Sequence, residues 1–310
     1  MSEPALAENA AATREVDELS TSRVAAGVRR WRGLRRAAAV APFVVYVFLG
    51  LGIPILAVID YAFRNQRGHL TLANVQTISH GTYLLGFENS ILLAAITSVI
   101  PGLLGLALAY AIATSRSPFL RRMIATASGV LANFGGINLT FMFIATLGST
   151  GILTSWLAAV HLNPWNLGFN LYSFYGVAFV YLYFQVPLMV LVITPALGAL
   201  RPAWREAASN LGASAWRFWR HVGLPVLFPS VLGGMLLLFG SAFAAYATAE
   251  TLTAGTVTLA PIQIGNLLNG NAISGQENIG YAIGFGMFIV LAVTMILYGL
   301  IQRRASKWLR

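Results

Sequence analysis

Apolar residues in this chain gather into long runs separated by short polar stretches. Six such runs stand out, at residues 37–59, 90–114, 123–147, 172–200, 225–249 and 281–302. A helix rises 1.5 Å per residue, so ~20 apolar residues cross a ~30 Å hydrocarbon core. In hydrocarbon a backbone meets its own hydrogen-bonding needs only as a helix or a closed barrel, and runs of this length select the helix. The pattern predicts an all-α membrane protein with six transmembrane helices. One polar island, residues 201–224, has a texture of its own. Pro202 suits a first helical turn, and Gly212 supplies a left-handed stop. Ser214 can cap a second short helix through Trp216, Phe218 and Trp219, before Leu224 and Pro225 return the chain to apolar sequence. The island therefore reads as two small helices hinged at a glycine.

Composition agrees with the runs. The chain is 57% hydrophobic and 10% charged, with mean hydropathy +0.71, where a soluble domain carries about 25% charge. All but two of its 20 lysines and arginines fall in four places: the tail 1–36, the loop around Arg116, Arg121 and Arg122, the island, and the tail 303–310. The two exceptions are Arg64 and Arg67. Positive charge marks the inner side, so both termini and the island are expected in the cytoplasm. The expected domains are a basic tail at 1–36, a six-span body at 37–302 containing the loop 201–224, and a short tail at 303–310. No apolar core of signal-peptide length precedes residue 37, so the first span is expected to stay as an anchor.

The net charge of +10 is thereby explained by topology, and no nucleic acid partner is expected. Arg29–Arg36, with Trp31 among them, suits anionic lipid head groups. There is no cysteine, so neither a disulfide nor a cysteine metal site is expected. His69, His80, His161 and His221 lack partners at metal-ligand spacing. No catalytic motif occurs, and the only lysine is Lys307. A phosphate-binding loop of the G-K-[ST] type needs a lysine that this chain does not supply elsewhere. Any ATP hydrolysis must come from another polypeptide.

Glu206-Ala207-Ala208, three residues, Gly212, then Val222-Gly223-Leu224-Pro225 resembles the EAA loop of permease subunits in bacterial ATP-binding-cassette importers. The resemblance extends over residues 37–310. PALGALRPAWREAASNLGAS and AYATAETLTAGTVTLAPIQIG are most similar to the spermidine/putrescine-type permeases. Ala215 departs from that pattern, where proline is common, and so does Glu250. The resemblance implies the type I importer permease fold, in the inner (plasma) membrane of a bacterium. It implies no catalytic residue or cofactor on this chain, with ATP and Mg bound by a partner ATPase dimer. A second, related permease forming a heterodimer and an extracytoplasmic substrate-binding protein complete the expected assembly. Carried onto this sequence, the ATPase-coupling residues are Glu206, Ala207, Ala208, Gly212, Trp216, Trp219, Leu224 and Pro225. Trp204, Trp216, Phe218 and Trp219 are expected to be exposed for insertion into the partner's groove.

Polar residues inside spans usually face a cavity or another helix. Asn133, Gly135-Gly136, Asn138 and Thr140 suggest a broken third span. Tyr181 and Gln185 stand one turn apart in the fourth, and Ser241, Tyr246, Thr248 and Glu250 line the exit of the fifth. Together Asn133, Asn138, Thr140, Tyr181, Gln185, Tyr246 and Glu250 outline a substrate path; the alternative for each is helix–helix packing. On the outer side Asp60, Glu88, Glu250 and Glu277 outnumber Arg64 and Arg67. Carboxylates with tyrosines suit a cationic cargo such as a polyamine. Phosphonates, opines and ferric iron are the other cargoes of the subgroup. A secondary transporter or channel without an ATPase is the competing class, but it would usually show an ionisable relay or an internal repeat.

Overall fold

The computed structural model describes residues 40–269 and 275–306. The basic tail 1–36 and residues 307–310, including Lys307, lie outside the described residues. The described residues divide into two units, which meet between Val58 and Ile59. Among the described residues six helices are long and apolar enough to cross a membrane: Val40–Ala62, Gly81–Thr114, Ile137–Ala159, Phe174–Gly198, Ala215–Phe243 and Glu277–Leu300.

In the second unit the centre is Phe174–Gly198, which buries Val180, Tyr181, Gln185, Met189 and Ile193 completely. Gly81–Thr114, Leu224–Phe243 and Pro118–Asn133 pack around it. Small residues let three of these backbones approach closely. A Cβ on Gly105 would meet the Met189 side chain, and one on Gly234 would meet the Met189 sulfur at 2.7 Å. Gly102 stands in the same relation to Met235. Met189 thus fills the seam where these helices meet, a use suited to its unbranched, adaptable chain.

The third apolar run is broken where its glycines suggest, but its spanning part is not the expected 123–147. The run begins inside an amphipathic helix, Pro118–Asn133, capped by the Ser117 hydroxyl, which accepts from the Leu120 N–H. The chain breaks at 134–136 and resumes as Ile137–Leu147 and Ile152–Ala159. Gly136 has φ +75°, a conformation that an L side chain resists. The break follows from that residue, and the span-length apolar segment moves downstream to Ile137–Ala159.

Two π-helical turns share one sequence logic. Phe48–Gly52 precedes Ile53-Pro54, and Trp219–Gly223 precedes Leu224-Pro225. In each, the residue before the proline donates its N–H five residues back, Ile53 to Phe48 and Leu224 to Trp219. A proline inside a helix has no N–H to give and crowds the carbonyl four residues earlier. Widening the preceding turn makes room for it. In each turn the opening aromatic ring also lies over the closing glycine. Ala215–Phe243 accordingly runs through Leu224 and Pro225 as one helical segment, so the island joins the fifth span directly.

After residue 243 the chain does not leave the protein body directly. It forms Ala247–Thr253 and Ala260–Leu268 before Glu277–Ser306. The Ala260–Leu268 helix and Thr258 just before it are tied to Gly81–Thr114 by three long-range bonds. The Asn89 amide donates to the Thr258 carbonyl at 3.0 Å, the Ala260 N–H donates to the Ser90 hydroxyl at 2.9 Å, and the Gln263 amide donates to the Thr82 carbonyl at 2.7 Å.

Candidate functional site

The polar island folds as two helices, Pro202–Asn210 and Ala215–Phe218, joined at Gly212. The first closes with a paired set of bonds: Gly212 N–H to the Ser209 carbonyl at 2.9 Å, and Ala213 N–H to the Ala208 carbonyl at 2.9 Å. That pair is the Schellman closure, which requires a left-handed residue at the hinge. Gly212 supplies it with φ +72° and has no atom within 4 Å of a would-be Cβ. The second helix starts at Ser214, whose hydroxyl accepts from the Arg217 N–H at 3.3 Å.

Glu206 lies on the exposed first helix, one residue beyond its first turn, beside exposed Ala207 and half-buried Ala208. Small residues at 207 and 208 keep this face flat enough for close approach by another surface. Leu211 is 88% exposed, Trp216 70% and Trp204 39%. The expected exposure of Phe218 and Trp219 is corrected. Phe218 is buried, and Trp219 stacks edge-on against Tyr110 with centroids 5.0 Å apart. The reason is the continuous helix, which makes these two residues the foot of a span. Leu224 and Pro225 remain exposed.

A second constellation joins the break in the third run to the fifth. The Gly136 N–H donates to the Thr248 hydroxyl at 3.0 Å, and the Thr140 hydroxyl donates to the Thr248 carbonyl at 3.3 Å. Thr140 and Thr248 are buried, whereas Asn133 and Asn138 are exposed. Tyr181 and Gln185 are buried within a helix seam. The Tyr181 hydroxyl donates to the Ala245 carbonyl at 3.1 Å, and the Gln185 amide donates to the Leu238 carbonyl at 2.9 Å. Both bonds tie Phe174–Gly198 to the end of the fifth helix. Tyr246 is exposed and lies against Gly265. Glu250 opens no helix of its own, but sits in the first turn of Ala247–Thr253, where the dipole favours a carboxylate. Its Oε2 is shielded from solvent and has no hydrogen-bond partner.

Asp60, counted above among the outer carboxylates, is paired with Arg64 at 2.7 Å and offers little to a cargo. Missed from sequence was a cleft of about 760 Å³ lined by Gln76, His80, Tyr83, Gln263 and Asn266, among others. It forms only because Ala260–Leu268 folds back, and Pro261 at that helix start was the available signal. Among the described residues no group of three or more His, Cys, Asp or Glu could hold a metal ion.

Six apolar helices of spanning length and a hinged polar elbow, all among the described residues, define a multi-span membrane component. The chain belongs to the family of binding-protein-dependent transport system inner membrane components, whose model matches residues 102–307. Its fold is that of the type I ATP-binding-cassette importer permeases. A bacterial transporter that imports the acidic polysaccharide alginate superposes with TM-score 0.70 at 18% identity, covering 89% of this chain and 99% of that one. The sulfate transport system permease protein CysT of Escherichia coli is 25% identical over 53% of this chain and 57% of its own length. A spermidine/putrescine transport system permease protein PotC homolog of Mycoplasma pneumoniae is 27% identical over 66% of this chain and 71% of its own. The first match thus spans little more than half of the curated relative's length.

Proposed function

We propose that this subunit forms half of a translocation path and converts closure of a separate ATPase dimer into movement of its own spans. The observation that carries this is the join between the elbow and the fifth span. The exposed patch of Trp204, Leu211 and Trp216 stands on a Gly212 hinge, and the second elbow helix continues through Leu224 and Pro225 into Phe243 without a break. Force applied to that patch is delivered to a membrane helix with little slack. Glu206, Ala207 and Ala208 form the approach face, Gly212 the hinge, and Trp219 the foot braced on Tyr110.

ATP and Mg belong to the ATPase in this proposal, and no cofactor or catalytic residue is assigned to this chain. One elbow serves one of two ATPase grooves, so a second permease is required, with the path between the two chains. A related rather than identical partner is the proposed arrangement. A substrate-binding protein on the outer face completes the assembly. The alginate transporter has been crystallised in complex with a ligand-bound periplasmic protein, which supports that last part. The arginines of the elbow and of both termini support a cytoplasmic position for them, in a bacterial inner membrane.

For cargo, Glu250 favours a cation. A shielded carboxylate oxygen without a donor is costly, and an ammonium group passing beside it would satisfy it. A polyamine is the proposed instance, in keeping with the name of the Mycoplasma relative. Sulfate is the second reading, because relatives such as the Escherichia coli protein carry that name. The two predict opposite results. Vesicles holding the whole transporter should take up labelled spermidine on ATP addition, and Glu250→Gln should lower that uptake without reducing assembly. ATP-driven sulfate uptake, unaffected by spermidine, would reverse the cargo assignment.

A further inference from the structure

The membrane-facing side of the elbow holds a cleft that the coupling proposal does not use. It is a cavity of about 230 Å³ walled by Tyr110, Thr114, Leu197, Arg201, Arg205 and Trp219, among others. It sits where the ends of Gly81–Thr114 and Phe174–Gly198 meet the first elbow helix. Arg201 is the N-cap of Pro202–Asn210 and Arg205 follows four residues later, so both stems leave one helix face. Both are exposed, and neither has an ion pair or side-chain hydrogen bond among the described residues. The first turn of that helix contains no acid.

This placement is unfavourable by itself. Cations near a helix N-terminus oppose the macrodipole, and like charges at i, i+4 repel each other. An anion between the two guanidiniums relieves both effects. The remaining walls say what else the anion must carry. Leu197, Leu200 and Pro202 present apolar surface, while Trp219 and Tyr110 are residue types favoured at membrane interfaces. The volume is below the roughly 300 Å³ at which drug-sized pockets begin, which suits a small head group. Thr114 and Gly198 are the last residues of their helices, so the cleft lies at the elbow-side ends of two spans.

We infer that this cleft binds the phosphate of an anionic phospholipid in the leaflet on the elbow's side. Arg201 and Arg205 hold the phosphate oxygens, and the acyl chains leave along the apolar wall. The lipid then braces the elbow against the feet of two spans, beside the Trp219 contact. The chemistry recognised is a phosphate ester, which a free phosphate shares in part. The inference rests on the elbow's position at the membrane face, and not on any ATPase.

The test uses the purified full-length chain and native mass spectrometry, with phosphatidylglycerol and phosphatidylcholine as probes. Wild-type protein should hold one tightly bound phosphatidylglycerol that is lost in Arg201→Gln/Arg205→Gln, with about tenfold weaker retention at that site. Arg201→Lys/Arg205→Lys should keep most of it. Arg217→Gln/Arg220→Gln removes equal charge from the same elbow outside the cleft and should retain the lipid. Equal loss in both glutamine pairs would reduce the effect to bulk charge and overturn the site. So would unchanged retention in Arg201→Gln/Arg205→Gln, or no preference for phosphatidylglycerol. Displacement by millimolar inorganic phosphate would overturn the lipid as the occupant. No ATPase is present, so failure here leaves the coupling proposal intact, and failure of coupling leaves this result intact.

Discussion

The Trp219 indole occupies the space that a side chain on Gly223 would need. A Cβ there would stand 2.5 Å from Trp219 Cε3 and 2.8 Å from Cζ3. The indole is held on its other side by Tyr110. Glycine at 223 is thus a packing requirement of the π turn, imposed by the ring four residues earlier.

Gly223→Ala is accordingly expected to displace Trp219 from Tyr110. Overpacking of this kind costs about 1–3 kcal/mol. Thermal unfolding of the purified chain should show the loss. Trp219→Leu combined with Gly223→Ala should recover part of it, because the smaller side chain vacates the space.

Gly212 is constrained for a different reason. It has open space around it but φ +72°, so a substitution there costs backbone energy and not contacts. For an L residue that cost is about 1–2 kcal/mol, and it is greatest for a β-branched one. Gly212→Val should leave the chain inserted while ATP hydrolysis by the complex no longer drives uptake; Gly212→Asn should be milder. The ratio of ATP hydrolysed to solute accumulated in vesicles reads this directly. An unchanged ratio for Gly212→Val would remove the hinge from the account.

Thr248 serves the break in the third run. Thr248→Val removes the acceptor of the part-buried Gly136 N–H, and losing such a bond costs about 1 kcal/mol. Thr248→Ser keeps the hydroxyl and should stay close to wild type. Thermal denaturation of both variants in the same detergent distinguishes a hydrogen-bond role from a volume role.

Gln185 has one bond, to the Leu238 carbonyl, and a buried Oε1 without a partner. Replacing the whole amide with an apolar group removes an orphan along with a bond. Gln185→Leu should therefore change stability by less than about 1 kcal/mol, in line with near-neutral replacement of such groups. Gln185→Glu buries a charge with no cation beside it and should be strongly destabilising. If Gln185→Leu instead abolishes transport in a stable protein, the residue belongs to the path and not to the seam.

The six spans were legible because run length alone selects a membrane helix. The hinge was legible because Gly212 follows a helical segment and precedes a capping serine. Gly135-Gly136 beside Asn133 likewise marked a break, though where the span restarts was not readable. The fold-back of residues 247–268 was hidden, because the bonds that hold it link positions 169, 170 and 181 residues apart. The inward turn of Trp219 was hidden for a local reason. A π turn shifts the helical register, so spacing alone could not say which side of the elbow that ring would take. Tyr181 and Gln185 looked like path residues by their polarity; only their carbonyl partners tie them to the helix seam.

The absence of cysteine from the whole chain gives the most direct test of the central claim, that the elbow is gripped by an ATPase. Leu211→Cys would be the sole thiol, on a residue 88% exposed at the hinge. Membranes co-expressing a partner ATPase, treated with a short reagent that reacts with a thiol at one end and an amine at the other, should yield a cross-link between Leu211→Cys and that ATPase. Leu70→Cys, on a residue 79% exposed outside the elbow, should yield none. A cross-link from Leu70→Cys and none from Leu211→Cys would contradict the account.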